Sequence, residues 1–204
     1  MATQLGKLGV WAFIDNMTAT EAVQFAQRLE QWGYSALWIP EAVGRDPFSI
    51  ISFMAAHTEK LIFATGIANI YARDPMAMNA IHKTISELAP GRFMLGLGVS
   101  HAPLVTGIRG HEYRKPVSTM RTYLEAMKNA FYMAATAQEQ APILLGALRQ
   151  NMLQHSAEYA NGAHPYFVPP AHTAWAREIL GPDAWLCPEQ MLCLETNAER
   201  ARTI

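Results

Sequence analysis

Several short apolar runs in this sequence end in polar residues that could carry chemistry. Glu41 closes the run Trp38-Ile-Pro-Glu41, and a carboxylate there could act as a general acid or base or bond the edge of a ring. A structural carboxylate that bonds a backbone N–H or an arginine is the alternative. His101 closes a later run and could donate a hydrogen bond to a ligand, or serve only in structure. We take Glu41 and His101 as the candidate catalytic residues.

The segment Gly66-Ile67-Ala68-Asn69 is a candidate for holding a flat cofactor. Glycine permits backbone conformations that other residues avoid, and the Asn69 amide can both donate and accept hydrogen bonds. This segment could therefore bind the polar edge of a heterocycle. An ordinary turn is an equally good interpretation of the same residues.

Small residues recur where two later apolar runs end. In Gly96-Leu-Gly98-Val-Ser100 they could let a cofactor lie against a strand while Ser100 donates a hydrogen bond to it. The spacing is not a dinucleotide fingerprint, because His101 occupies the third position and a loop follows. Gly146-Ala147 precede a predicted helix whose N-terminus could bind a phosphate, with tight packing as the alternative. The candidate cofactor-binding residues are Gly66, Ile67, Ala68, Asn69, Gly98, Ser100, Gly146 and Ala147.

The most highly charged stretch of the chain runs from Arg109 to Pro116, inside a long loop. Long loops in compact domains are often functional, and arginine can bind a phosphate or carboxylate through two parallel hydrogen bonds. The stretch is therefore either a lid or anion-binding segment, or a solvated loop.

Composition argues against several other classes of protein. The seven histidines never occur at i, i+4 spacing and neither cysteine pairs with a histidine, so we predict no metal site. A net charge of −1 without a basic patch argues against a nucleic-acid partner. No run reaches the ~18 apolar residues of a membrane span, and the first residues lack the apolar core of a signal peptide. With only two cysteines, we expect a cytoplasmic protein.

The candidate residues need a framework that brings the strand ends together, and the order of elements supplies one. Short apolar runs alternate with amphipathic stretches, which predicts βα units around a parallel sheet. We predict a single domain over residues 1–204, a (β/α)₈ TIM barrel truncated before its eighth strand, with its site at the C-terminal strand ends. An open doubly wound sheet is the alternative, because a single sequence does not reveal strand order.

Local signals give the bounds of the predicted elements. Capping boxes at residues 18–21 and 196–199 predict helix starts, as does a capping aspartate followed by proline at Asp46 and Asp74. The predicted strands are Leu8–Ile14, Ala36–Ile39, Leu61–Ile67, Phe93–Val99, Ile143–Gly146, Ala163–Phe167 and one within residues 184–194.

Several segments together resemble the luciferase-like monooxygenase family over essentially the whole chain. The most specific segment is Pro90-Gly-Arg-Phe-Met-Leu-Gly-Leu-Gly-Val-Ser-His101. The others are residues 8–11, 33–41, 64–70 with Asp74-Pro75, and 142–147. Within the family, the sequence is most similar to the actinobacterial branch of F420-dependent oxidoreductases.

The resemblance implies a barrel that holds FMN or the deazaflavin coenzyme F420 in its mouth. It also implies that a bulge, often a non-proline cis peptide, follows the third strand and supports the ring from behind; the matching residues are Gly66-Ile67. Better-known members carry a histidine after the acidic residue of the second strand. Here Ala42 follows Glu41, so this chain lacks that histidine for proton transfer.

The resemblance favours F420-dependent hydride transfer to or from a small organic substrate. The alternatives are an FMN-dependent monooxygenase, a truncated barrel that binds flavin without catalysis, and an α/β binding protein without flavin. Seven βα units leave open strand edges, which invite pairing, so we expect a homodimer.

Overall fold

A computed structural model describes residues 3–203 and shows a parallel sheet whose strands alternate with helices. The strands are β1 (Gly9–Trp11), β2 (Ala36–Ile39), β3 (Ile62–Thr65), β4 (Ala68–Asn69), β5 (Phe93–Gly98), β6 (Ile143–Leu145), β7 (Gly162–Ala163) and β8 (Trp185–Leu186). The helices are α1 (Ala19–Gln31), α2 (Pro47–Ala55), α3 (Pro75–Leu88), α4 (Pro116–Lys128), α5 (Gln150–Tyr159), α6 (Pro170–Leu180) and α7 (Ala198–Ala201).

Strand order separates the two folds that the sequence left open. The order along the sheet is β1-β2-β3-β5-β6-β7-β8, and β4 prolongs the position of β3 by pairing with β5. Each strand position therefore lies beside the next one in the chain, without the reversal that a doubly wound sheet requires. The prediction of seven strand positions in barrel order is confirmed.

The sheet curls into most of a barrel. Trp38 of β2 stacks on His164, which follows β7, with the ring centroids 4.4 Å apart. β2 and β7 are four positions apart in the sheet, so a flat sheet would separate them by roughly 19 Å at ~4.8 Å per strand. Strong curvature therefore brings the second and sixth strand positions together across the barrel interior.

The two faces of the strands bury different clusters. Leu37, Phe63 and Leu95 belong to the main core, together with apolar residues of the helices. The alternate residues form a second cluster inside the barrel, made of Ala36, Trp38, Ile62, Ala64, Met94 and Leu144. Because both faces are buried, these strands are apolar at almost every position.

Side-chain caps begin most of the predicted helices. Thr18 and Glu21 form the expected capping box at α1. Asp46 and Asp74 accept backbone N–H bonds at the starts of α2 and α3, each followed by proline at the first helical position. The helix predicted after residue 196 is present as α7, but the predicted capping box is wrong, because Asn197 caps the helix by accepting from the N–H groups of Glu199 and Arg200.

The third strand position is interrupted between β3 and β4. The peptide bond between Gly66 and Ile67 is cis, so the unusual backbone predicted here is confirmed. The Gly66 carbonyl turns away from the strand ladder and accepts a hydrogen bond of 2.7 Å from the indole N–H of Trp11. Pairing then resumes at Ala68 and Asn69, against Leu97 and Gly98 of β5.

The structure differs from the sequence prediction in the bounds of one strand, one loop and one helix. The sixth predicted strand, at residues 163–167, is shorter because β7 ends at Ala163 and Pro165 has no N–H to donate. The long loop after β5 is not wholly irregular, because Pro103–Ile108 form a π-helical turn. α6 begins at Pro170, three residues before the predicted start at residue 173.

The two ends of the sheet remain open within the described part of the chain. β1 pairs only with β2 and β8 only with β7 among residues 3–203. Homodimerisation through these edges stays a prediction. No helix in that same range is long and apolar enough to cross a membrane.

Candidate functional site

The carboxyl ends of β2 to β6 bring several predicted site residues into direct contact. The Glu41 N–H donates to the Ile67 carbonyl at 3.1 Å, and the Glu41 carboxylate accepts from the Asn69 N–H at 2.8 Å. The Ile67 side chain lies against Gly98 and Gly146. The interrupted strand is thus the point at which the neighbouring strand ends meet.

Both oxygens of the Glu41 carboxylate are engaged. Oε1 accepts from Arg73 at 2.6 Å and Oε2 accepts from the Asn69 N–H, and the side chain is only 7% exposed. Arg73 also pairs with Asp46 and lies over the ring of Phe48. Burial opposes the charge of Arg73, but the two carboxylates hold its pKa above the usual value. This geometry favours the structural interpretation of Glu41, as the group that holds the β2–α2 loop to the interrupted strand.

Asn69 is fully buried and has one unsatisfied polar atom. Its Oδ1 accepts from the Tyr71 N–H at 3.0 Å, which fixes the orientation of the amide. Its Nδ2 has no hydrogen-bond acceptor among residues 3–203. A buried donor without a partner costs about 1–3 kcal/mol, so such a donor at a strand end indicates a missing acceptor.

The small residues of β5 and β6 make room for Ile67. A Cβ at Gly98 would lie 2.5 Å from the Ile67 side chain, and a Cβ at Gly146 would lie 3.3 Å from it. The expected open cradle along β5 is therefore filled by this partly exposed isoleucine. Any cofactor at this mouth would meet the Ile67 side chain before the backbone of Gly98.

Ser100 and His101 begin the loop over the mouth. Ser100 has a left-handed backbone with φ 56°, and its carbonyl accepts from the Tyr113 hydroxyl at 3.3 Å. Burial raises the pKa of Tyr113, with a smaller effect from Tyr71. The exposed His101 accepts from the N–H groups of the π-helical turn through its backbone carbonyl. The structure therefore brings Ser100 to the mouth but leaves the His101 imidazole in solvent.

Gly146 and Ala147 lie farther from a helix start than expected. α5 begins at Gln150, and the preceding Arg149 makes no side-chain cap. The Gly146 N–H is already used, because it donates to the Leu97 carbonyl at 2.8 Å. Ala147 is buried in the main core. These contacts favour tight packing at this strand end.

An aromatic cluster around Trp11 and Trp38 was not predicted from the sequence. Trp11 lies against Phe13 and Tyr166, with centroid distances of 4.9 and 5.3 Å, and Trp38 stacks on His164. His164 Nδ1 bonds the Cys187 carbonyl at 2.6 Å, whereas Nε2 has no partner within the described chain. Burial lowers the pKa of His164 to about 4, so the ring is neutral at physiological pH.

His164→Asn reduces the loss of stability on acidification. An unfolded histidine has a pKa near 6.5 and the folded one about 4, so stability falls as pH drops through that interval. The asparagine amide can still donate to the Cys187 carbonyl but does not titrate. At about pH 5, the drop in unfolding free energy relative to neutral pH should shrink by roughly 2 kcal/mol, measured by urea unfolding.

His101→Asn is the matched control, since that side chain is exposed. Its pH profile should follow the wild type. A His164→Asn profile that is parallel to the wild type at every pH would contradict the prediction.

A second cluster, made of three arginines that the sequence did not bring together, lies beside Glu41. Arg45, Arg73 and Arg109 line a cavity of about 370 Å³ between the loops that follow β2 and β5. Of these, only Arg109 stood out in the sequence, through its charged loop. Arg45 lies four residues beyond Glu41 in the same loop, and that proximity was the available signal. No cluster of three or more potential metal ligands occurs in residues 3–203.

The barrel order, the interrupted third strand and the strand-end contacts agree with one family. The luciferase-like monooxygenase family model matches residues 5–181. The chain therefore belongs to the luciferase-like monooxygenase family.

Relatives of two kinds are similar to this chain. The Mycobacterium tuberculosis protein Rv3520c, provisionally named a coenzyme F420-dependent oxidoreductase, is 28% identical over 125 residues, which are 61% of this chain and 35% of that protein. An F420-dependent secondary alcohol dehydrogenase, solved with an F420-acetone adduct, superposes with a TM-score of 0.77 at 13% identity, covering 92% of this chain and 68% of that one.

A flavin enzyme has the same fold. The oxygenating constituent of 3,6-diketocamphane monooxygenase from Pseudomonas putida, solved with FMN, gives a TM-score of 0.66 at 14% identity, over 85% of this chain and 62% of that one. At these identities the solved structures establish the fold. The matches span only 31–52% of the length of the curated relatives.

Proposed function

We propose that this chain is the cofactor-binding barrel of an oxidoreductase that uses coenzyme F420 for hydride transfer to or from a small organic substrate. The observation that carries the proposal is the Asn69 amide, which is buried at the interrupted strand with Nδ2 unpartnered among the described residues. The ring carbonyls of a flavin or deazaflavin are acceptors of the kind that this donor lacks. The preference for F420 rests on the named relatives and the sequence resemblance.

The residues at the mouth fit such a ring in chemistry. Ile67 would offer an apolar surface, while Asn69 and Ser100 would offer polar contacts around it; flat ligands commonly bind such mixed sites. When bound, the deazaflavin supplies hydride chemistry, and the protein supplies orientation and polar contacts. Glu41 would act as a positioning residue, because its carboxylate holds the Asn69 backbone. Of the two candidate catalytic residues, the exposed His101 would be available for contact with substrate.

FMN-dependent oxygenation is the second candidate function. It is supported by the fold shared with the FMN-bound monooxygenase constituent. Binding of flavin without catalysis is a third possibility in the family, and it is favoured by the ion pair that engages Glu41 and by Ala42 in place of the histidine of better-known members.

Titration of purified protein with F420 and with FMN distinguishes the cofactors. We expect F420 to bind more tightly. Asn69→Ala should weaken that binding about tenfold, because the loss of a buried hydrogen bond costs roughly 1.4 kcal/mol. Asn151→Ala, at an exposed position on α5, is the matched control and should bind like the wild type.

Two outcomes would overturn parts of the proposal. Equal or tighter binding of FMN would reverse the choice of cofactor. Unchanged F420 binding in Asn69→Ala, with a wild-type circular dichroism spectrum, would remove Asn69 from the site. Turnover of F420 with candidate alcohols or carbonyl compounds then separates an enzyme from a binding barrel.

A further inference from the structure

The cavity beside Glu41 contains two guanidinium groups that have no carboxylate partner. Arg73 is paired with Glu41 and Asp46, so its charge is compensated. Arg45 donates from Nη2 to the Met17 carbonyl at 2.6 Å, and Arg109 donates from Nη2 to the Ala42 carbonyl at 3.2 Å. Across residues 3–203, no carboxylate lies within ion-pair distance of either guanidinium.

The nearby acidic groups are committed elsewhere. Asp15 accepts from the backbone N–H of Arg45 at 3.2 Å. Asp46 caps α2 and forms an ion pair with Arg73, and Glu41 pairs with the same arginine. Three guanidinium groups and two carboxylates therefore line the cavity, so its lining has a net charge of +1.

Unused hydrogen-bond donors belong to the same two arginines. Arg45 Nη1 and Arg109 Nε are buried and have no acceptor within the described chain. An arginine donor without a partner loses the charge-assisted bonds that carboxylate or phosphate oxygens would supply. The bond from Arg109 to the Ala42 carbonyl joins the loop after β5 to the loop after β2. Arg45 and Arg109 therefore line one cavity from two different loops.

We propose that this cavity binds the carboxylate or phosphate of the organic substrate, with Arg45 and Arg109 as the binding residues. The substrate assignment rests on the proposed function. None of the eight candidate cofactor-binding residues lines the cavity, yet Glu41 lies in its wall and bonds the backbone of Ile67 and Asn69. A substrate whose anionic group is bound in this cavity would have its remaining atoms next to the mouth. The volume, about 370 Å³, suits a small metabolite.

Calorimetric titration with inorganic phosphate and with succinate, without cofactor, tests the anion site. We expect saturable binding of at least one probe by the wild type. Arg45→Gln and Arg109→Gln should each weaken it, and the double variant should weaken it at least tenfold. The single variants keep the test valid if the double variant does not fold.

Arg114→Gln is the control, because that guanidinium is 76% exposed and should not affect anion binding. Absence of saturable binding, or binding unchanged in both folded single variants, would overturn the proposal. Because no cofactor is present, this result is independent of whether F420 or FMN binds.

A second titration distinguishes a substrate anion from an anionic group of the cofactor. F420 and FMN are titrated against Arg45→Gln and Arg109→Gln. Unchanged cofactor affinity supports the substrate assignment. A tenfold loss of cofactor affinity would overturn it and assign the arginines to the cofactor. If neither cofactor binds the wild type, the proposed function and this substrate assignment fail, while the anion titration still reports on the site itself.

Discussion

Gly96→Ala lowers the free energy of unfolding by at least about 3 kcal/mol, at the upper end of what overpacking a core costs. A Cβ at this position would lie 1.9 Å from the Thr65 carbonyl oxygen. That oxygen belongs to β3, immediately before the cis peptide, and Gly96 is paired in register with Leu144 of β6. Relief of the clash would need a shift of backbone on one of these strands.

Two other glycines calibrate this effect. The three atoms nearest to a Cβ at Gly98 all belong to the Ile67 side chain, which can adjust more easily than backbone, so Gly98→Ala should cost less. A Cβ at Gly107, in the π-helical turn, would meet open space, so Gly107→Ala should leave stability unchanged or slightly raised. Urea unfolding followed by far-UV circular dichroism measures all three variants. Equal stabilities of Gly96→Ala and Gly107→Ala would contradict the close approach of β3 and β5.

Arg73→Met destabilises the protein by roughly 3 kcal/mol, because it leaves the carboxylate of Glu41 buried without its counter-charge. The Arg73 and Glu41 side chains are 16% and 7% exposed, and Arg73 is also the partner of Asp46. The methionine retains much of the apolar stem against Phe48. The expected loss is therefore electrostatic, and the free energy of unfolding in urea measures it.

A double variant tests the cause of that loss. Glu41→Gln in the Arg73→Met background removes the uncompensated charge, so part of the stability should return. Arg121→Met is the matched control, since Arg121 pairs with Glu125 on the exposed face of α4 and should contribute little. Strictly additive losses in the double variant would show that the two side chains are not coupled.

The two largest predicted effects concern the same part of the molecule. Gly96 determines how closely β5 approaches the interrupted strand, and Arg73 determines how Glu41 holds that strand to the β2–α2 loop. Gly96 and Arg73 therefore both belong to the part of the structure that positions Asn69 and Ser100. Their stability effects can be measured without knowing the cofactor, whereas the titrations depend on it.

The sequence determined the elements and their order, because those signals are local. The Thr18 and Glu21 box and the aspartates that precede Pro47 and Pro75 act within one helical turn, so their interpretation required no tertiary contact. Continuous apolar runs likewise predicted strands buried on both faces. The resemblance located the unusual backbone at Gly66-Ile67 correctly. The cap of α7 was missed because Asn197 competes with Thr196 one position earlier, and residue preference alone does not separate them.

The tertiary structure decided how the strand ends are used. Arg73 is 32 residues from Glu41 in the sequence, and it reaches that carboxylate only because the loops after β2 and β4 lie side by side. The glycines that suggested an open cradle are instead covered by the Ile67 side chain, which lies against Gly98 of β5 and against Gly146 after β6. His164 meets Trp38 only through the curvature of the sheet. Contacts of this kind depend on strand order, register and curl, which are set by the packing of the whole barrel and leave no local pattern in the sequence.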